Sequence, residues 1–374
     1  MSTKNNNKEI ARIFLKLGFT AFGGPAAHTA MMREETVVKR KWLSEQQFLD
    51  LIGATNLIPG PNSTELAIHI GKEKAGWQGM LIAGSCFILP AVLITGIFAW
   101  LYGQYGQLPQ IEPFIYGIKP AIIAIILAAV YPLGKQSLKS QELAIIGVLV
   151  LTLSLFVLNE IVLMFGAGLL YVLYKAIKDR KTANSFIPFA FLSLPLTITT
   201  PVTNLKLFWI FLKIGAILYG SGYVLFAFLD AELVATGILS RQQLIDAIAV
   251  GQFTPGPVTS SVTFIGYQIS GIWGALITTV AVFLPSFVFV ALLNPFLRFM
   301  RSSKLFSAFL DAVNIASVAL IVSVCFTMGK EVMTDWRTIA IAVASIFLSF
   351  VFRKINSAFI ILLGAIMGYL LTLI

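Results

Sequence analysis

Two cysteines and two histidines are all that this 374-residue chain offers to soft-metal or redox chemistry. Cys86 and Cys325 lie in separate apolar runs without ligand-like spacing, which excludes a disulfide framework and leaves packing as their expected role. His28 and His69 are too few for a zinc triad without an added carboxylate, so neither a metal nor a cofactor is expected. The chain lacks the G-x-x-x-x-G-K-[ST] loop, so it does not power itself with a nucleotide. Charge is also scarce. Only 12% of residues are Asp, Glu, Lys or Arg, and 57% are hydrophobic. The net charge of +10 would suggest nucleic acid in a soluble protein, but here the basic residues sit in short loops between apolar runs, where cytoplasmic retention of the loops accounts for them. The opening "MSTKNNNKEI" carries charge but no short apolar core, so a cleavable leader is not expected.

What is present is length without charge. The uncharged runs 75–111, 247–297 and 355–374 match or exceed the ~20 residues that span a bilayer. The expected class is an all-α polytopic protein of the cytoplasmic membrane.

Self-comparison supplies the organisation. "FLKLG" at Phe14–Gly18 returns as "FLKIG" at Phe211–Gly215, and "LSEQQFLDLIGATNLIPGP" from Leu43 aligns with "LSRQQLIDAIAVGQFTPGP" from Leu239 at nine of nineteen positions. Gly71, Gly76, Gly79 and Pro90 then pair with Gly266, Gly271, Gly274 and Pro285 in the same order. Two tandem repeats follow, at 1–181 and 206–374, with 182–205 as a linker helix made short or kinked by Pro188, Pro195 and Pro201. Equivalent loops differ in charge. Lys72 and Lys74 face the uncharged 268–271, the cation-free 102–112 faces Arg298, Arg301 and Lys304, and Asn159 and Glu160 face Arg353 and Lys354. By the positive-inside rule the repeats should have inverted topology. One loop dissents, because Lys135 and Lys139 match Lys330 and Arg337. The first apolar segment, 10–30, either does not cross fully or leaves one basic cluster on the wrong side, since Lys4, Lys8, Lys39, Arg40 and Lys41 all ask for the same face.

Each repeat carries a Pro-Gly-Pro inside its apolar pattern, Pro59-Gly60-Pro61 and Pro255-Gly256-Pro257. Proline cannot continue a helix, so both helices should break there. Ser44 with Gln47 and Ser240 with Gln243 form capping boxes that start helices at Glu45 and Arg241. About fourteen residues separate each start from its break, or ~21 Å, which stops short of a ~30 Å hydrocarbon core. New helices should begin at Pro61 and Pro257, with bare amides on Asn62, Ser63 and Thr64 and on Val258, Thr259 and Ser260. Helix amino termini with converging donors attract oxyanions, and the hydroxyls of Ser63, Thr64, Thr259, Ser260 and Ser261 add to them. The alternative is a Pro-Gly-Pro that only kinks a packed helix.

Lys16 and Lys213 occupy matched apolar positions, either as substrate-binding cations or as snorkelling side chains. Glu35 aligns with Glu232 after a one-residue gap, and Asp50 aligns with Asp246; with His28 they are candidates for proton coupling or gating, against a bland role at the interface. Glu65 and Asn62 face Ser261 and Val258 in the other copy, so a bound substrate should lean toward one repeat.

"FGGPAAH" at Phe22–His28, "PGPNSTE" at Pro59–Glu65 and "TPGP" at Thr254–Pro257 resemble the chromate ion transporter family, as does the fused duplication. The resemblance implies export of chromate, a sulfate-shaped dianion, coupled to protons or another ion gradient. It also implies short relatives that work in pairs, and leaves a homodimer open here. "YGSGYV" at Tyr219–Val224 departs from "FGGPAAH" by lacking its proline and histidine, which puts a symmetric role for Pro25 and His28 in doubt. The leading expectation is a secondary oxyanion transporter with alternating access of the two repeats. A passive anion channel and a sulfate or other oxyanion transporter are the alternatives. An enzyme is not expected, since no nucleophile-base-orienter set is visible.

Overall fold

A computed structural model describes residues 3–106, 108–156, 159–178, 203–292, 303–352 and 356–373. The described residues form helices and connecting turns, without strands. The first half contains α1 (Thr3–Thr20), α2 (Gly24–Arg33, continued by a π-helical turn Glu34–Lys39), α3 (Glu45–Thr55), α4 (Asn62–Tyr105), α5 (Glu112–Ser137), α6 (Gln141–Ser154) and α7 (Glu160–Lys178). The second contains α8 (Asn204–Ile217), α9 (Leu225–Leu229, continued by a π-helical turn Asp230–Val234), α10 (Arg241–Phe253), α11 (Ser261–Leu292), α12 (Lys304–Val332), α13 (Trp336–Val351) and α14 (Ser357–Thr372). A 3-10 turn, Val258–Ser260, leads into α11. The order of elements is the same in both halves. Most of the linker expected at 182–205 lies outside the described residues, as do Arg180, Lys181, Arg298, Arg301, Arg353 and Lys354; α8 opens at Asn204 with Thr203 as its cap.

Among the described residues five helical stretches are long and apolar enough to cross a membrane. Trp77, Leu93, Ile97, Leu170 and Trp273 are among the large apolar side chains that stay exposed on the outside of the bundle, the surface a lipid-embedded protein presents. This is a multi-pass membrane protein.

α4 is two helices in one. At Ala75 and Gly76 the backbone leaves helical geometry, Gly76 taking φ 60 and ψ −143, and the chain folds back so tightly that Gly71 and Gly79 meet backbone to backbone. α11 repeats the turn at Ser270 and Gly271, φ 59 and ψ −150, with Gly266 against Gly274 and Thr263 bonded to Thr279 at 2.7 Å. Small residues permit this approach, the usual device where apolar packing alone cannot hold membrane helices together.

Contacts at the ends fix the path. Glu9 pairs with Arg40 at 3.5 Å, Asn7 bonds Gln78 at 2.7 Å, and Lys74 stands over the Trp42 ring at 4.9 Å. The segment α1–α2 and the segment from α3 to the turn in α4 therefore each enter and leave by one face. The first apolar segment doubles back to the end from which it starts, which brings Glu9 and Arg40 to the same side. In the second half Asn204 bonds Ser270 at 2.8 Å and Asp230 meets Arg241 at 3.0 Å, the same arrangement. That face is the far one: Gln268 bonds the Ala99 carbonyl at 3.2 Å, while at the other end Lys72 bonds the Val290 carbonyl at 2.7 Å. The long arms of α4 and α11 run antiparallel.

The later helices exchange partners between halves. α5 packs on α13 and α14, and α12 packs on α6 and α7. Gly117 lies backbone to backbone with Gly364 and Gly368, and Gly168 receives the Phe309 ring.

Candidate functional site

Both capping boxes form as their sequences dictate: the Ser44 and Ser240 hydroxyls accept from the Gln47 and Gln243 amides, and each Gln side chain answers the serine amide. α3 ends at Thr55 and α10 at Phe253, short of the prolines. Pro61 and Pro257 act as N-caps, one position earlier than the first-turn placement expected from sequence, so the helical turns start at Asn62 and Val258. The Thr64 amide bonds back to the Pro61 carbonyl at 2.8 Å and the Ser260 amide to Pro257 at 2.9 Å. The donors left open are thus Asn62 and Ser63 in one copy, Val258 and Thr259 in the other.

The breaks are tied across the halves. The Gly60 amide donates to the Leu218 carbonyl at 2.7 Å, and the Gly256 amide donates to the Ala21 carbonyl at 2.8 Å. Ala21 and Leu218 are equivalent residues just past α1 and α8, where those helices stop and their last carbonyls need partners from outside the helix. Each Pro-Gly-Pro finishes a helix of the other copy.

A cavity of about 1420 Å³ reaches the first break. Asn56, Leu57, Ile58 and Asn62 form one wall, the loop Tyr219–Tyr223 the floor, and Asp311, Asn314 and Ser317 of α12 the opposite wall, with Lys135 of α5 and Lys139, just past its end, at the exposed rim. Asn62 donates to Asn56 at 3.1 Å. Lys139 pairs with Asp311 at 2.6 Å. Of the substrate-binding residues expected from sequence, Asn62 lines this cavity. Gly60, Ser63 and Thr64 lie behind it, and Ser63 and Thr64 are buried. Thr259, Ser260 and Ser261 are buried at the second break, where Ser260 faces Thr95 at 3.3 Å.

Lys16 and Lys213 do not line the cavity. Lys16, whose side chain is 59% exposed, pairs with Glu35 at 3.0 Å, and Lys213 pairs with Glu232 at 2.5 Å. The four residues that sequence reading treated as separate cations and acids are two equivalent ion pairs. Glu35 also meets Lys39 at 3.4 Å and Arg40. Burial pushes the Glu35 carboxyl up, but the bonds from Lys16 and Arg40 outweigh it and hold it at about 2. Its folded value is depressed, so its stabilisation is present above the ordinary carboxylate range and is lost only as pH falls toward 2. Glu35→Gln should therefore leave the pH profile of transport between pH 5 and 9 unmoved, as flux measurements at a series of pH values will read.

His28 is buried, with Nε2 at 3.0 Å from the Ala21 carbonyl and its ring edge-on to Phe87, so it braces the carbonyl that Gly256 uses. Asp50 accepts from Gln46 at 3.3 Å. Its equivalent Asp246 is buried and far more engaged: Tyr102 donates to it at 2.6 Å, Gln242 at 3.4 Å, and Lys119 stands 3.7 Å away. This cluster joins α4, α10 and α5 at the end opposite the cavity, where α10 packs on α5. On the cavity side Ile52 and Thr55 of α3 face Leu310 and Asn314 of α12 across open space. The two ends of the duplicated structure therefore differ: side chains of α4, α5 and α10 meet at one, and the cavity separates α3 from α12 at the other.

Sequence reading missed Tyr219, Ser221, Asn56 and Asn314. The signal available was positional: Tyr219 and Ser221 occupy the place of the "FGGPAAH" motif in the second copy.

The sequence pattern described as "Chromate transporter" matches residues 8–172 and again 205–369. The chain belongs to the chromate transporter family. A "Probable chromate transport protein" of Synechococcus elongatus is 30% identical over 372 residues, covering 96% of this chain and 94% of the relative. A "Chromate transport protein" of Cupriavidus metallidurans is 29% identical over 370 residues, 96% of this chain and 92% of its own. An uncharacterised transporter of Bacillus subtilis is 28% identical over 160 residues, which is 42% of this chain but 90% of that protein, a relative of about one repeat. No solved structure matches.

Proposed function

We propose that this protein is a secondary transporter of tetrahedral oxyanions, chromate first among them, that exports its substrate across the cytoplasmic membrane by alternating access of two inverted repeats. The observation that carries the reading is the cavity ending at the first Pro-Gly-Pro break while the Asp246–Lys119–Tyr102 cluster closes the other end. The antiparallel arms of α4 and α11 support inversion. The match to chromate transport proteins over nearly the whole chain supports the substrate. Lys135 and Lys139 at the rim accord with a cytoplasmic opening under the positive-inside rule. The open amides of Asn62 and Ser63 give an oxyanion the helix amino terminus it prefers.

The exchange of helices between halves argues against one repeat rocking on the other. The moving body is instead α1–α4 with α8–α11, and the frame is α5–α7 with α12–α14. In the alternate state α3 would close onto α12 and α10 would leave α5.

Chromate accumulation and tolerance in cells expressing the protein, with sulfate and molybdate as competitors, test the reading. Unchanged accumulation sinks it, and flux that ignores every ion gradient favours a passive channel. Asp246→Asn weakens the closed end, so a cysteine placed at Ser260 should react with a membrane-impermeant thiol reagent from the far side about tenfold faster than in the otherwise unaltered protein. An equal rate removes the cluster from the gate.

A further inference from the structure

Glu65 is the one acid of the first break, and it is 0% exposed. It lies one turn into the helix that starts at Asn62, beside the open amides. Its carboxyl rests on the bare face of Gly60, together with the Ser286 hydroxyl of α11, filling the space a side chain at position 60 would take. Among the described residues neither carboxylate oxygen has a hydrogen bond of good geometry, the Ser286 hydroxyl being its polar neighbour, and no cation pairs with it.

Among the described residues the surroundings supply no compensating charge. The α11 arm packed against α4 has no charged residue. On α1, Lys16 is paired with Glu35; on α2, His28 engages the Ala21 carbonyl and Arg33 is bonded to Glu45 of α3. Asp50 of α3 accepts from Gln46. On α10, Arg241 is paired with Asp230 and Asp246 with Lys119. Tyr219 is the ionisable group within electrostatic reach, and His69 is the other titratable side chain on the same face of the helix, four residues on. The 3-10 turn Val258–Ser260 brings only hydroxyls and a valine.

An unpaired carboxylate in such a place costs several kcal/mol even after relaxation. A proton removes that cost, and with it the negative charge closest to where a dianion would meet the amides of Asn62 and Ser63. We propose that Glu65 binds the proton that travels with the oxyanion, so that proton and anion load the first break together and leave it together. The second copy has Ser261 at this position and Ala91 where the first has Ser286, so the coupling site belongs to one repeat alone. This inference rests on the transport reading above.

The test uses the full-length protein reconstituted into liposomes, chromate as the probe, and a pH-sensitive dye in the lumen. Wild-type flux should rise about tenfold per pH unit of acidification over the range where proton binding limits loading, with protons entering alongside chromate. Glu65→Gln, neutral and of the same shape, should carry chromate down its gradient with a flat pH profile and no proton movement. Should that variant not reconstitute, Glu65→Met, neutral and of similar length, gives the same two readings. Infrared difference spectra should also contain a protonated-carboxyl band that disappears in the neutral variant. Proton movement preserved in either variant overturns the inference and leaves the transport reading standing. Absence of chromate flux in the wild type overturns the transport reading, and the infrared band then decides whether Glu65 holds a proton.

Discussion

Gly60→Ala is expected to abolish oxyanion transport and to lower stability by ~3 kcal/mol or more, the sum of a strained backbone and a displaced neighbour. Gly60 has φ 145, a conformation side chains rarely adopt. Its missing Cβ is where the Glu65 carboxyl and the Ser286 hydroxyl already sit. Moving Glu65 away drags the start of α4 with it and breaks the bond from the Gly60 amide to Leu218. Gly256→Ala should do less, because φ is 92 and the nearest atom, the Ala91 methyl, is 3.0 Å away. Thermal unfolding in detergent of the two variants, with chromate flux alongside, checks both magnitude and order. Equal effects would mean that the two breaks are not chemically distinct.

Gly71→Leu should prevent accumulation of folded protein, with an expected cost above ~4 kcal/mol. The atom that a side chain there would strike is the Gly79 carbonyl oxygen, part of the facing backbone, with the Ala83 methyl just behind. Neither can swing aside. Gly76→Ala is the informative control. It also strains the backbone, at φ 60, but a Cβ there meets nothing within 4 Å, so the loss should stay near ~2 kcal/mol. Membrane-fraction yield and melting temperature read both variants. A folded Gly71→Leu protein would show that the two arms of α4 are not held in close contact.

The parts of this structure legible in the sequence were those set by local chemistry. Ser44 and Ser240 start their helices where expected because a capping box needs only four residues. The Pro-Gly-Pro breaks follow from a missing amide hydrogen. The matched positions of Lys16, Lys213, Glu35 and Glu232 were also readable, but not that they pair, since the chain between each lysine and its glutamate has to double back. Hydropathy gives the length of a segment and not its direction. Contacts between its two ends, such as Glu9 with Arg40, reveal that the first segment returns to the face it came from. The run beginning at Ala75 read as a plain membrane helix, and the fold-back at Gly76 was hidden because a single glycine in an apolar helix is common in membranes. The cavity floor at Tyr219–Tyr223 carries no charge and no periodicity, so nothing in its composition marked it.

The two crossed amide bonds, Gly60 to Leu218 and Gly256 to Ala21, also bear on how the protein is made. When the first half leaves the ribosome, its Gly60 amide has no acceptor, and the α5 surface that will receive α13 and α14 lies open to lipid. A polypeptide halted at this stage holds an unfinished hairpin in the bilayer. Neither crossed bond, nor the packing of α13 and α14 on α5, can form until the second half has also entered the membrane.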